Sequence, residues 1–346
     1  MPRRALITGG LGFLGLSVGR WLAARGAPCV LYDTAAPDEA LPPEVTAVRG
    51  DVRDLGALRS AVKTYDVEVV VHSAARLPLG DGDDIWTTNV DGTRAVLDVA
   101  RDEGVSRVVF VSSTAVYPVD AARRDEGAPL DGVGPYARSK AAAERLCDEA
   151  RARGQVVPVV RPAPILGPER LGIFHILFEW VREGRRIPML GDGSNRYQLV
   201  HVDDCASAVE RLLTAPEARA NATFNLGAAR YGTVREDLTD LCRAAGTGAR
   251  PIGLPARPAE ALLEALYARG LSPLYPWLIR SASRDCAAPV QRLRDLGWEP
   301  RFSNAGCLID AYRGHESSRL APRRGDAHGH RAAWEPGVLR LLRRLM

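Results

Sequence analysis

The feature that most constrains the fold is a glycine-rich loop that directly follows a short apolar run near the start of the sequence. The run Ala5–Thr8 reads as a β-strand, and Gly9, Gly12 and Gly15 follow it at the mouth of a helix that is predicted to reach Arg25. A side chain at Gly9 or Gly12 would obstruct the close backbone approach and the free N–H groups that a dinucleotide pyrophosphate needs. Gly15 is instead expected to let the helix pack closely on the strand. The loop therefore predicts a dinucleotide-binding site.

The rest of the first half repeats this alternation of short apolar runs and helical stretches. Such a rhythm is typical of a parallel sheet with crossover helices. Near-continuous apolar runs such as Val69–Val71 and Val108–Val111 are typical of strands that helices cover on both faces. We therefore predict an α/β fold with a Rossmann-type doubly wound parallel sheet. The predicted strands are Ala5–Thr8, Cys29–Asp33, Thr46–Gly50, Val67–Ser73, Arg107–Ser112 and Val156–Arg161.

The length of 346 residues exceeds the usual size of one hydrophobic core, and the pattern changes after the sixth strand. Residues 1–166 are predicted to form the nucleotide-binding domain, with some later segments returning to it. Residues 167–314 are predicted to form a smaller α+β C-terminal lobe that binds the substrate. Its expected helices lie near Phe174–Gly184, Asp203–Thr214 and Val234–Ala245.

Residues 315–346 form a basic tail. The tail holds seven arginines against Glu316, Asp326 and Glu335, which equals the net charge of +4 of the whole chain and leaves the body neutral. A neutral body argues against nucleic-acid binding. A short helix is expected to open at Pro336. It would either dock or fray as a terminal helix, or bind a partner or a membrane surface.

Cysteine usage and hydropathy exclude several classes of protein. The six cysteines lie far apart, without a Cys-x-x-Cys pair or a histidine at ligand spacing, so neither a disulfide framework nor a metal site is expected. The longest apolar runs are too short to cross a bilayer, and no apolar leader with a cleavage site follows Arg3 and Arg4. We therefore expect reduced cysteines, no transmembrane segment and a cytoplasmic location.

Later strand ends extend the predicted nucleotide site. Asp33 closes the second strand about twenty positions beyond the loop, where its carboxylate can accept hydrogen bonds from the adenosine ribose. Its charge would repel a 2′-phosphate, and the next three residues include no arginine, so NAD is predicted rather than NADP. Asp51 and Val52 are placed to meet the adenine, and Ala74 and Ala75 are small enough to let the ribose pass close.

Tyr136 and Lys140 are four residues apart, which places a phenol and an ammonium on one face of a predicted helix. Lys63 is the only other lysine, so this spacing is uncommon as a coincidence. The ammonium and the positive charge of an oxidised nicotinamide would both lower the pKa of Tyr136, which could then remove a proton from a substrate hydroxyl. Ser113 would hold the same oxygen, and Thr114 would share that role or contact the substrate. These residues predict hydride transfer to a nicotinamide.

Taken jointly, these motifs resemble those of the extended short-chain dehydrogenases/reductases, in the NAD-dependent epimerase/dehydratase group. The resemblance covers roughly residues 4 to 312. The matching motifs are Thr8-Gly-Gly-Leu-Gly-Phe-Leu-Gly15, Gly50-Asp-Val-Arg-Asp54, His72-Ser-Ala-Ala75, Asn89-Val-Asp-Gly-Thr93, Val111-Ser-Ser-Thr-Ala-Val-Tyr117, Tyr136-Ala-Arg-Ser-Lys140, Arg161-Pro162 and His201-Val-Asp-Asp204.

The resemblance implies NAD as the cofactor and a later lobe that binds a small-molecule substrate. Asn89 is similar to the family asparagine that steadies the site near the nicotinamide, where Tyr136 also lies. The resemblance further implies a homodimer, formed through a four-helix contact that includes the helix of Tyr136 and Lys140. The implied cofactor contacts are Gly9, Gly12, Phe13, Leu14, Asp33, Asp51, Val52, Ala74, Lys140 and Pro162.

The reaction stays open among several that this family performs. Nucleotide-sugar 4,6-dehydratases of the family that this sequence resembles carry a Thr-Asp-Glu motif at the position of Ser113-Thr114-Ala115. The acid that those enzymes need to expel a hydroxyl is therefore missing here. A nucleotide-sugar 4-epimerase, which forms a transient keto intermediate, needs no further acid or base and is the leading hypothesis.

Two alternatives remain beside the epimerase. Many nucleotide-sugar relatives carry an arginine one position away from Arg196, so Arg196 either binds a substrate phosphate or is a surface charge. This displacement leaves open an NAD-dependent alcohol dehydrogenase or ketoreductase of the 3β-hydroxysteroid dehydrogenase type. The second alternative is a non-catalytic NAD-binding scaffold.

Overall fold

Seven parallel strands form the central sheet of the computed structural model, which describes residues 1–78, 82–121, 123–170 and 172–317. The strands of the chain are β1 (Ala5–Thr8), β2 (Cys29–Asp33), β3 (Val45–Arg49), β4 (Val69–His72), β5 (Arg107–Val111), β6 (Val159–Pro162), β7 (Ile165–Leu166), β8 (Arg186–Leu190), β9 (Val200–His201), β10 (Thr223–Leu226) and β11 (Arg250–Leu254). The order across the sheet is β3, β2, β1, β4, β5, β6, β10, which reverses direction at β1 as in a doubly wound fold. The predicted α/β class with a Rossmann-type sheet is confirmed.

The six predicted strands all occur, and their boundaries shift where the backbone finds other partners. The sixth strand is predicted to begin at Val156, but β6 begins at Val159. The Val157 N–H donates to the Asn221 side chain Oδ1 at 2.8 Å and not to a neighbouring strand. The fourth strand is predicted from Val67, whose N–H instead donates to the Val62 carbonyl at 3.1 Å and ends the preceding helix. The seventh strand of the sheet, β10, is not predicted.

Helices cover both faces of the sheet. On one face, α1 and α7 enclose a hydrophobic cluster with Ile7 and Leu31, and on the other α2, α4 and α5 enclose a cluster with Leu6 and Phe110. The helices are α1 (Phe13–Ala23), α2 (Leu55–Thr64), α3 (Gly82–Trp86), α4 (Gly92–Asp102), α5 (Gly134–Ala152), α6 (Gly172–Arg182), α7 (Val202–Thr214), α8 (Glu217–Ala220), α9 (Val234–Ala245), α10 (Ala256–Ala268), α11 (Pro276–Ser281), α12 (Gln291–Arg294) and α13 (Asn304–Ser317). A π-helical turn (Thr87–Asp91) joins α3 to α4, and a 3-10 turn (Thr114–Val116) follows β5.

Segments from the later half of the chain complete the first domain. The helix α7 packs beside α1, where Trp21 Nε1 donates a hydrogen bond to Glu210 at 2.5 Å and Arg25 lies 3.2 Å from the same carboxylate. Val209 and Leu212 of α7 are buried in the same cluster as α1. The strand β10 extends the sheet at its far edge, beside β6.

The smaller lobe contains two short parallel strand pairs, β8 with β11 and β7 with β9. Its core is a separate hydrophobic cluster to which α6, α9 and α13 contribute Phe178, Leu241 and Tyr312. This lobe also holds α10 and α11, which follow β11 in the chain.

A buried ion pair fixes α5 to the sheet. The Arg161 guanidinium at the end of β6 lies 2.6 Å from the Glu144 carboxylate of α5, and both side chains are at most 5% exposed. Ser112 Oγ donates to the same carboxylate at 2.5 Å, and Arg161 donates to the Tyr117 hydroxyl at 2.8 Å. Because burying charge is costly unless it is paired and hydrogen-bonded, this arrangement defines where α5 can sit.

All six cysteines are free thiols, and all but Cys286 are buried. None of the helices in the described ranges has the length and apolarity needed to span a bilayer. The helix expected after Pro336 lies outside the described residues.

The ion pair yields a prediction for stability. Replacing Glu144 by Gln would leave the Arg161 charge buried without its counterion, so we expect the free energy of unfolding to fall by about 3 kcal/mol. Glu149→Gln on the same helix is the matched control, because Glu149 is exposed and its nearest arginine nitrogen is 3.9 Å away. Urea unfolding of both variants checks this expectation, and equal stabilities would show that the buried pair does not anchor α5.

Candidate active site

Close backbone contacts shape the glycine loop. Gly9 has a φ of +64°, and a Cβ there would lie 2.7 Å from the Ala74 Cα at the end of β4. A Cβ on Gly15 would lie 2.2 Å from the Gly9 carbonyl oxygen, so Gly15 packs the helix against the loop itself rather than against the strand. The sequence assigns no role to Gly10, yet a Cβ there would lie 2.6 Å from Leu31 of β2. At Gly9, Gly10 and Gly15 the loop therefore has no space for a side chain.

The loop opens into one cavity of about 880 Å³ at the carboxyl ends of the strands. The cavity brings together residues that the sequence predicts from distant motifs. Its lining includes Gly9, Gly12, Phe13, Leu14, Asp33, Asp51, Val52, Ala74, Ala75, Ser113, Thr114, Tyr136, Lys140 and Pro162. Within the described ranges, Asn89 and Arg196 are the two predicted site residues that do not line it.

Asp33 lies at the cavity wall, and both of its carboxylate oxygens accept backbone hydrogen bonds. One oxygen accepts from the Leu11 N–H at 3.0 Å and the other from the Ala35 N–H at 3.1 Å. Asp33 thus supports the glycine loop in addition to placing a negative charge beside it. Each oxygen has a second lone pair, which leaves acceptor capacity for a ribose hydroxyl.

Asp51 is held by an arginine that the sequence analysis does not single out. The Arg53 guanidinium lies 2.6 Å from Asp51, and this hydrogen bond is the main reason why the pKa of Asp51 is lowered. Arg53 also contacts Asp84 at 3.0 Å, and both residues line the cavity beside Val52. The predicted adenine end therefore contains a fixed network of ionised groups.

Asn89 lies in the π-helical turn, outside the cavity lining, and forms hydrogen bonds with residues near the cavity wall. Its Oδ1 accepts from the Arg76 N–H at 2.8 Å, and its Nδ2 donates to the Arg76 carbonyl at 3.2 Å and to Ser139 Oγ at 2.9 Å. Asn89 thus joins the segment after β4 to α5, between Tyr136 and Lys140. This placement agrees with a steadying role.

Tyr136 and Lys140 face the cavity from the first two turns of α5. Burial raises the pKa of Tyr136 to about 12, an effect that a hydrogen bond with Ser113 opposes. Burial lowers the pKa of Lys140 to about 8, and its Nζ donates to the Val111 carbonyl of β5 at 2.7 Å. The protein's own groups therefore raise the pKa of Tyr136, and the lowering expected from Lys140 together with an oxidised nicotinamide stays a prediction.

Thr114 and Ala115 occupy the 3-10 turn at the wall near Tyr136. Thr114 Oγ1 donates to the Pro162 carbonyl at 3.3 Å, and Ala115 is buried against Trp277. Neither side chain carries a carboxylic acid that could protonate a leaving hydroxyl, as expected from the sequence.

The smaller lobe contributes three residues that sequence reasoning misses. Arg170, Tyr275 and Trp277 line the cavity, and Trp277 belongs to a cluster that also contacts Tyr136. Burial lowers the pKa of Arg170 to about 10, so its guanidinium is still charged at neutral pH. No motif spacing relates these residues to the first domain, since only the fold brings them together.

Arg196, the predicted phosphate ligand, lies elsewhere in the smaller lobe. Its backbone N–H donates to Asp285 Oδ1 at 2.7 Å. Hydrogen bonds with Thr233 are the main reason why the pKa of Glu236 at the start of α9 is lowered, and the charge of Arg196 adds to this effect. A role in substrate binding for Arg196 stays a prediction, whereas Arg170 of the same lobe does line the cavity.

Comparison with known proteins defines the class. A model of the NAD dependent epimerase/dehydratase family matches residues 5–227, so the chain belongs to this family of extended short-chain dehydrogenase/reductase enzymes. The resemblance stated from the motifs is confirmed, and NAD is the cofactor of the family.

The proteins to which this chain is similar include an uncharacterized protein, a dehydratase and an epimerase. The uncharacterized protein y4nG of Sinorhizobium fredii is 34% identical over 345 residues, which are 98% of this chain and 85% of that protein. The dTDP-glucose 4,6-dehydratase of Streptomyces griseus is 30% identical over 265 residues, 71% of this chain and 80% of that enzyme. The crystal structure of the Thermus thermophilus UDP-glucose 4-epimerase in complex with NAD is 25% identical with a TM-score of 0.73, covering 91% of this chain and 99% of that one.

The two lysines of the chain allow a direct test of the buried ammonium. In protein labelled at lysine ¹³Cε, we expect the Lys140 signal to titrate with a midpoint near pH 8, because burial disfavours its charged form. The signal of Lys63, whose side chain is 64% exposed, provides the reference in the same spectrum, and Lys140→Met assigns the two. A Lys140 midpoint at the ordinary value of about 10.4 would contradict this.

Asp33 yields a prediction for cofactor preference. Asp33→Asn removes the charge but keeps an oxygen that can accept from the Leu11 N–H, so we expect the preference for NAD over NADP to fall at least ~10-fold while the loop persists. Titration calorimetry with both nucleotides measures the preference. Asp54→Asn, at the N-cap of α2 and outside the cavity lining, is the control. An unchanged preference in Asp33→Asn would mean that another residue reads the ribose.

Proposed function

We propose that the protein is a nucleotide-sugar 4-epimerase that uses NAD. One observation carries this proposal: Ser113, Tyr136 and Lys140 share a cavity with the glycine loop, and the turn beside them has no acid. A 4-epimerase requires the removal of a proton from a substrate hydroxyl and its return to the same oxygen, so one phenol is sufficient.

The residues at the glycine loop fit NAD. Gly9 and Gly12 leave their backbone accessible at the start of α1, where the N–H groups and the helix dipole favour a pyrophosphate. Asp33 would bind the adenosine ribose, while Asp51 and Val52 would border the adenine. When bound, NAD supplies the acceptor and later the donor of a hydride.

The phenol of Tyr136 is the proposed proton carrier. With a pKa near 12 it would keep its proton at neutral pH, so a positive charge close to it is required before it can act as a base. The Ser113 hydroxyl would hold the substrate oxygen at the same place while the proton moves. Lys140, which donates to the Val111 carbonyl, would hold its ammonium in the cavity wall and remain charged below about pH 8.

The smaller lobe supports a nucleotide sugar as the substrate. The buried Arg170 guanidinium is a cation at the substrate side of the cavity, and guanidinium binds phosphate oxygens in a bidentate manner. Tyr275 and Trp277 add aromatic surface beside it, which suits a base or a sugar ring. Arg170 is thus our candidate for the phosphate contact that the sequence analysis sought at Arg196.

A single assay distinguishes the proposed epimerase from the alcohol dehydrogenase, the dehydratase and the non-catalytic scaffold. The full-length protein is incubated with NAD and a panel of UDP- and dTDP-hexoses, and both the sugars and NADH are followed. Interconversion of 4-epimers without net NADH is the expected result. Net NADH would instead indicate the alcohol dehydrogenase, a 4-keto-6-deoxy sugar would indicate the dehydratase, and bound NAD without turnover would indicate the scaffold.

Tyr136 provides the residue-level test. Tyr136→Phe removes the hydroxyl but keeps the ring, so we expect turnover to fall at least ~100-fold with NAD affinity nearly unchanged. Tyr65→Phe, at the C-cap of α2 and outside the cavity lining, should retain full activity. Equal turnover in Tyr136→Phe would remove the phenol from the mechanism.

The homodimer and the cytoplasmic location stay predictions. The dimer is expected to form through a four-helix contact that includes α5. This contact would place the outer side of α5 in the interface.

A further inference from the structure

A cluster of His175, Glu179 and His315 lies in the smaller lobe, and none of the three lines the cavity. One ligand atom from each residue, two imidazole nitrogens and a carboxylate oxygen, lies within 4.8 Å of the others. All three side chains are partly exposed. The sequence predicts no metal site, because no histidine lies at ligand spacing from a cysteine.

Two packed helices build this cluster. His175 and Glu179 are four residues apart on α6, so they project from one face of that helix. His315 lies in the last turn of α13, which packs against α6. Ring contacts of Phe178 with Tyr312 at 5.9 Å and with His315 at 5.7 Å hold the two helices in this register. The three polar groups therefore meet across a helix interface that other residues keep together.

The ligand set suits a zinc ion. Zn²⁺ is bound at about 2.0–2.2 Å by imidazole nitrogen and carboxylate oxygen, so ligand atoms in a tetrahedral site lie about 3.4 Å apart. His315 Nε2 and Glu179 Oε1 are already 3.0 Å apart, and rotation of the His175 side chain would complete the set. The partial exposure of the cluster leaves room for water as a fourth ligand.

The surroundings orient the carboxylate. Arg182 Nη2 lies 2.6 Å from Glu179 Oε2, so the second oxygen is held while the first faces His315. Hydrogen bonds of this kind from outside the ligand set fix the orientation of metal ligands in proteins.

We propose that His175, Glu179 and His315 bind Zn²⁺, and that the ion joins α6 to α13. The site acts on the structure of the smaller lobe, because α6 also carries Phe174, whose ring lies 5.6 Å from the Arg170 guanidinium in the cavity. Bound zinc would thus restrict the motion of α6, whose Phe174 ring contacts the Arg170 guanidinium. The proposal does not depend on the proposed function, since no residue of the cluster contacts the cavity.

Metal titration of the full-length protein tests the proposal. After dialysis against a chelator, Zn²⁺ is titrated by calorimetry, and Co²⁺ serves as an optical probe. We expect one Zn²⁺ per chain, a rise in the melting temperature with Zn²⁺ and none with Mg²⁺, and a Co²⁺ spectrum without the ultraviolet band of a thiolate ligand. The absence of saturable one-to-one binding would overturn the proposal, as would a thiolate band.

Variants locate the site within the chain. His175→Gln and Glu179→Gln should each weaken Zn²⁺ binding at least ~10-fold while the melting temperature without metal changes little. The double variant His328→Gln/His330→Gln is the control, because these two histidines follow His315 in the chain and are not among the proposed ligands, and it should bind Zn²⁺ normally. Circular dichroism checks that each variant is folded. Folded His175→Gln and Glu179→Gln proteins with unchanged zinc affinity would refute the assignment, and so would loss of binding in the tail variant alone.

Discussion

The buried pair of Glu144 and Arg161 is the interaction on which the site depends most. It ties α5 to the ends of β5 and β6, and α5 carries both Tyr136 and Lys140. With α5 held in this way, the Lys140 ammonium reaches the Val111 carbonyl and loses most of its contact with water. The depressed pKa of Lys140 is thus a consequence of where an ion pair one helical turn away has placed the helix.

A second buried network connects the glycine loop to the same helix. The Thr8 hydroxyl hydrogen-bonds to His72 Nδ1 at 2.7 Å, and His72 Nε2 meets the Thr93 hydroxyl at 3.0 Å. Thr93 donates to the Asn89 carbonyl, and the Asn89 side chain donates to Ser139 of α5. Burial lowers the pKa of His72 to about 3, so the ring stays neutral and can accept as well as donate. The strand that leads into the glycine loop and the helix that carries Tyr136 and Lys140 therefore belong to one connected polar framework.

The sequence predicts those parts of the site that depend on local pattern. The loop glycines, Asp33, and the pair Tyr136 and Lys140 each occupy a fixed place relative to a strand end or a helix face, and such places follow from spacing alone. Arg170 and Trp277 could not be found in this way, because they reach the cavity only through packing between segments far apart in the chain. The lowering of the Tyr136 pKa by Lys140 and an oxidised nicotinamide stays a prediction, and the burial that opposes it could not be inferred from spacing.

The return of α7 and β10 to the first domain has a consequence for how such enzymes diversify. Because the chain crosses between the two lobes several times, the smaller lobe cannot be exchanged as a cassette without removing a sheet strand and a core helix. A change in the cavity must then arise by side-chain replacement or loop insertion at lining positions such as Arg170 and Trp277. Engineers who wish to retarget this scaffold face the same restriction, and point libraries at the cavity rim suit it better than chimeras.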